Sequence, residues 1–254
     1  MLCSNCRKNT ATTDDGLCDG CPAVPVVDLT LPGRPAERRP GVLRAPVGLS
    51  YAVVALLCIV VAADVFCMFA AAGLRNLMGT AYSETDLEQA LSVTDAAGVV
   101  QGVAQIATAV VFIIWFHRVR ANADVFAPDL QRRGRGWAIG GWFVPFGNFY
   151  LPRAIAADIW AASRQDPYGT GKQEPHTIIN VWWIAWLVSN LVNGIAGAQY
   201  DMAQTADEVQ AGADAFIVGG LVDIGAALLA VVVVRRLTRM QLTKAMRGAE
   251  KAAV

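Results

Sequence analysis

Four of the six cysteines fall within the first 21 residues, as Cys3-x-x-Cys6 and Cys18-x-x-Cys21. Tetrahedral Zn²⁺ needs four soft ligands, and two short C-x-x-C turns supply them, so the spacing predicts a minimal zinc ribbon. The spacer of eleven residues suits a compact hairpin module. Arg7 and Lys8, beside Cys6, offset the charge of four thiolates around one divalent ion. Iron fits less well, because residues 1–21 hold no aromatic side chain to shield it. Four protein ligands close the metal, so such a module implies interaction rather than catalysis. A tail with redox-active or palmitoylated cysteines is the other form open to this segment. Cys58 and Cys67 sit in an apolar run and read as small apolar residues.

The second group with chemical potential is scattered through apolar sequence. Asp64 and Asp223 are ionisable residues in runs that otherwise belong in a bilayer, where charge is costly. Gln101 and Gln105 lie one helical turn apart in a second such run, and Asn190 and Asn193 lie in a third. Helical rise places all six in one layer, away from the arginine-rich flanks. They could line a site for a proton, a cation or a polar solute. They could equally hydrogen-bond helix to helix with nothing passing between. Gly219, Asp223 and Ala227 share a helical face, and Gly98 with Gly102 forms a small-x-x-x-small pair suited to close helix packing.

The elements that must position these groups follow from hydropathy. Hydrophobic residues make up 55% of the 254 residues and charged ones 17%, against roughly 25% in soluble domains. Runs at 47–74, 97–116, 178–198 and 215–234 are long enough to cross ~30 Å of hydrocarbon. In lipid each must be a helix, since no water is there to serve unpaired backbone groups. The N-terminus lacks the apolar stretch of a cleaved signal peptide, so the first run is expected to direct insertion. Residues 22–46 contain six prolines and four arginines and read as a semi-extended tether. The expected organisation is therefore a metal module at 1–21, the tether, a membrane domain at 47–236 and a basic tail at 237–254.

Charge fixes the expected orientation. Of the 21 lysines and arginines, Arg75 alone lies between the first two spans, and none lies between the last two. Those two segments carry acids instead, among them Glu84, Asp86, Asp207 and Asp214. The positive-inside rule then places both termini and the central loop in the cytosol, as for a multi-pass protein of the plasma membrane. A reducing cytosol also favours metal over disulfide at the cysteine pairs.

That orientation constrains 136–160, which is apolar enough to enter a bilayer yet broken by Pro145, Gly147, Asn148 and Pro152. A fifth complete span would invert everything after it. The segment is therefore expected to enter and leave by one face as a re-entrant hairpin, or to lie along that face as an interfacial helix–turn–helix anchored by tryptophan. Arg153 needs an acceptor in either case, and Asp158 is the nearest acid in sequence.

Several of these residues also resemble a known family. Trp115, Arg118 and Asn122, then Trp137, Trp142, Pro145, Asn148, Pro152, Asp158, Trp160 and Ser163, resemble the bacterial membrane proteins grouped as domain-of-unknown-function family 4328. The likeness covers roughly 50–236 and is most specific in its W-x-x-P-x-x-N-x-x-x-P core. It implies four spans with a cytosolic N-terminal extension that is either a zinc ribbon or Pro-rich. The family has no established activity, so the resemblance implies architecture and no mechanism. His117 stands where an aromatic is more usual.

The chain is thus read as an all-α polytopic membrane protein with a small zinc ribbon on a tether. It contains no nucleophile with a base, no H-E-x-x-H and no phosphate-binding glycine loop, so it is expected not to be an enzyme. Its expected partners are the lipid bilayer and a protein met through the ribbon or the hairpin. A homo-oligomer is open to it, and nucleic acid has little support. The reading is of an interaction or regulatory protein, with a small transporter or channel component as the alternative.

Overall fold

The computed structural model describes residues 43–169 and 175–252, together with residues 8, 10 and 12. Cys3, Cys6, Cys18 and Cys21 lie outside the described residues, and so does most of the tether. The account below concerns the unit Pro40–Val254.

Four long helices dominate: α1 (Val47–Met78), α2 (Glu84–Phe126), α5 (Thr177–Met202) and α6 (Ala206–Ala252), with the short α3 (Trp137–Gly140) and α4 (Leu151–Ser163) between α2 and α5. All four long helices are long and apolar enough to cross a membrane. Every regular element among the described residues is helical. α2 has 43 residues and α6 has 47, about 65 and 70 Å at the helical rise, so both outrun ~30 Å of hydrocarbon. The segments expected as outer loops are therefore mostly helix, turned within a few residues at 79–83 and 203–205.

Capping chemistry sets those turns. Ser83 and Asp86 form a reciprocal capping box at the start of α2. Glu208 accepts from the backbone N–H groups of Gln204 and Thr205, and the Thr205 hydroxyl accepts from Glu208 N–H. Acids at both helix starts also face the positive end of the helix dipole. Arg75 pairs with Asp214 at 2.5 Å, so the single cation at this acidic end is neutralised.

In section the long helices form a row, α2–α1–α6–α5, each packed along its neighbour. The helices at the two ends of the row, α2 and α5, share no comparable packing. The α3–α4 segment fills between them at the opposite, basic end, against α2, α5 and α6. It does not cross the bundle: Trp183 Nε1 donates to the Phe149 carbonyl at 3.0 Å, beside the start of α5.

α6 runs unbroken through 236, where the membrane domain is expected to give way to the basic tail. Leu237, Thr238 and Gln241 are buried. Trp115 Nε1 donates to Thr238 Oγ1 at 3.1 Å, tying α2 to α6. Gln241 Nε2 donates to the Val119 carbonyl at 2.9 Å and to Ser163 Oγ at 3.1 Å. Its Oε1 accepts from Asn122 Nδ2 at 3.0 Å. One glutamine thus joins α2, α4 and α6.

Candidate functional site

Because α2 and α5 stand apart, a cleft of about 720 Å³ lies between them, backed by α1 and α6. Its size falls in the range of small-molecule pockets, roughly 300–1,000 Å³. Asp64, Gln101, Gln105, Asn190, Asn193 and Asp223 all line it. No lysine or arginine among the described residues does.

The carboxylates are wired into two separate groups. Gln105 Nε2 donates to Asp223 Oδ2 at 2.8 Å, and Ser189 Oγ donates to Asp223 Oδ1 at 2.5 Å. Both Asp223 oxygens are therefore served, from α2 on one side and α5 on the other. Gln101 Nε2 donates to Asp64 Oδ1 at 2.5 Å. Asp64 Oδ2 and Gln101 Oε1 are buried and have no hydrogen-bond partner. Asp64 itself is only 4% exposed. Asn190 and Asn193 use their amide N–H groups locally, on the carbonyls of Trp186 and Ser189. Ser189 was not foreseen as a member of the layer. Its position one helical turn before Asn193 was the signal available in the sequence.

The glycines of α2 serve the cleft and not packing. A Cβ at Gly98 or Gly102 would meet nothing within 4 Å. The small-x-x-x-small pair therefore leaves open space where close helix contact was expected.

At its basic end the cleft is floored by aromatics. Trp142 stands 5.8 Å from Phe112 and 5.9 Å from each of Phe116, Trp183 and Trp186, measured between ring centroids. It bridges α2 and α5 at the level where Phe112 also meets Trp182, ring centroids 5.8 Å apart. Gly141, just before it, is required: a Cβ there would lie 2.8 Å from the Trp137 carbonyl oxygen. Trp160 and Pro152 are buried on α4, where they fix the segment to the bundle. Trp137 is exposed, and so is the turn at Pro145. Phe146 is 85% exposed and holds φ of 58°, in the left-handed region that non-glycine residues avoid. Asn148 is half-buried, its Oδ1 without a partner.

The ion pairs differ from the expected one. Arg153 donates to Asn180 Oδ1 at 3.0 and 2.7 Å. Asp158 instead takes Arg132, whose Nε and Nη2 donate to its carboxylate, the shortest contact 2.7 Å. Those hydrogen bonds, and then the carboxylate's charge, push the Arg132 guanidinium above its ordinary value. Asp124 binds both Arg120 and Arg135, and Arg120 also donates to the Arg133 carbonyl. These arginines thus partly build the basic end.

Among the described residues no group of three or more His, Cys, Asp or Glu could hold a metal ion. The model of a domain of unknown function (DUF4328) matches residues 78–239. That stretch takes in α2 through α5 and most of α6, and it leaves Asp64 outside. Neither a curated protein nor a solved structure matches the chain.

Proposed function

The chain belongs to the DUF4328 family, and from that premise we propose a non-enzymatic membrane protein of interaction or regulation, which takes a ligand from the bilayer into the α2–α5 cleft. The observation that carries this reading is the cleft itself. Two carboxylates stand in an apolar bundle, no basic side chain among the described residues lines the space with them, and Gln105 and Asn190 are exposed at the rim. Burying acids without basic partners is costly and marks functional positions in membrane helices. Trp142 connects the cleft floor to α3–α4, so occupancy is felt at the basic end.

The lopsided arginines support a plasma-membrane protein with both termini and the basic end in the cytosol. The exposed Phe143, Phe146 and Phe149 beside arginines support α3–α4 lying in the cytosolic headgroup region, as an interfacial element rather than a deep hairpin. In this reading Cys3, Cys6, Cys18 and Cys21 hold one structural Zn²⁺, and the ribbon recruits a cytosolic partner. Metal analysis of chelator-free protein should return one zinc per chain, lost in Cys18→Ser. Less than half a zinc removes the ribbon from the account.

The cleft is tested by filling it. Gly102→Leu has open space to occupy, so it should keep the thermal unfolding midpoint of the wild type. It should also remove the small molecules that accompany the wild type out of native membranes, read by mass spectrometry of the purified protein. An unchanged set of bound molecules would sink the ligand-binding reading. The second reading is a small transporter or channel component, favoured by the two carboxylates linked across the bundle. Deleting residues 1–46 separates the two: a regulator loses its cellular effect, whereas a transporter largely keeps its flux.

A further inference from the structure

We infer that the ligand of the cleft is a primary-amine amphiphile, its ammonium seated between Asp64 and Asp223 and its chain lying towards Trp142. The inference rests on the cleft being a ligand site and adds the chemistry of what fills it. Asp223 has both oxygens bonded, but Asp64 Oδ2 and Gln101 Oε1 are buried acceptors with no donor. Both belong to side chains that already share a hydrogen bond, so the two bare acceptors lie in one neighbourhood of the cleft. The Asp223 carboxyl lies within hydrogen-bond reach of the Asp64 carboxyl, so the two acids converge on one point.

A group that satisfies this arrangement must bring several N–H donors, no acceptor, and positive charge. An alkylammonium has those properties: three donors and no acceptor. A quaternary ammonium carries the charge without the donors, and an alcohol has one donor without the charge. Carboxylate, phosphate and sulfate headgroups are repelled by two acids with no basic residue among the described lining. A hard divalent cation takes six to eight oxygen ligands, and two carboxylates are too few charged ligands for it here. The remainder of the lining, beyond Gln105, Thr108, Ser189, Asn190 and Asn193, is apolar, with Phe112, Trp182 and Trp186 leading to Trp142. Open space beside Gly98 and Gly102 lies at the level of Gln101, so it leaves room for the ammonium headgroup.

The test titrates the full chain in phosphatidylcholine nanodiscs with decylammonium, decyltrimethylammonium and decanol. Tryptophan fluorescence is the readout, corrected against empty discs. Decylammonium should bind saturably and about tenfold or more tighter than either other probe, the scale of one charge-assisted hydrogen bond. Asp64→Asn should bring decylammonium down to decanol's affinity and leave decanol unmoved. Gly102→Leu, which leaves both acids in place, should weaken all three. Equal binding of decanol and decylammonium in the wild type overturns the cation assignment while the ligand cleft stands. Tight decylammonium binding that ignores both substitutions also overturns it, by placing the amine on the lipid surface. If no probe saturates, the ammonium inference fails. The ligand cleft itself falls only if Gly102→Leu also leaves the co-purifying molecules unchanged.

Discussion

Gln241 is 1% exposed and ties α6 to two other helices through one amide. Truncating it removes three hydrogen bonds from a dry interior, each contributing about 1 kcal/mol, and leaves one Asn122 N–H without its acceptor. Gln241→Ala should therefore lower stability by about 3 kcal/mol, read by thermal or denaturant unfolding in detergent. Arg132→Ala should cost under about 1 kcal/mol despite its short contacts, because the arginine side chain is 61% exposed and solvent screens it. A larger loss at Arg132 than at Gln241 would reverse this ranking of burial over charge. Asp64 and Asp223 were legible as one layer because a carboxylate in an apolar run stands out and demands a polar partner. Gln241 was not, because among Arg239, Lys244 and Arg247 a glutamine looks solvated. Arg153 and Asp158 show the same blindness: proximity along the chain suggested their pairing, but across helices Asn180 and Arg132 are nearer.

At the scale of elements, α3–α4 behaves as a wedge whose edge is Trp142. Trp142→Ala should free it from α2 and α5 at a cost of about 3–5 kcal/mol, the usual penalty for deleting a large packed aromatic. Faster proteolysis within 131–150 would be the local sign, and unchanged cleavage there would refute the wedge. The glycines separate by what surrounds them. Gly141→Ala forces a Cβ against the Trp137 carbonyl and should destabilise by about 1 kcal/mol or more. Gly102→Ala meets open space in a helix and should gain up to about 1 kcal/mol from helix propensity. Periodicity alone made Gly98 and Gly102 look like a packing motif, since sequence records that a residue is small and not which neighbour is absent. The four spans were legible because twenty apolar residues admit few alternatives. Their ends were not, because a polar helix that outruns the membrane carries no hydropathy signal.

At the scale of the whole molecule, charge is sorted between two ends. The acidic end has one cation, Arg75, already matched by Asp214, and the arginines gather at the other. An impermeant label should not reach a tag placed beyond Val254 in intact cells, and a labelled tag would invert the orientation. One feature joins these ends. α6 carries Asp223 and Gln241 on a single uninterrupted helix, 18 residues or about 27 Å apart along its axis. Such a rod is stiff lengthwise, so a cation that draws Asp223 towards Asp64 cannot move it alone. The far arm of this lever must swing or slide, and with it the α2–α4–α6 knot that Gln241 ties.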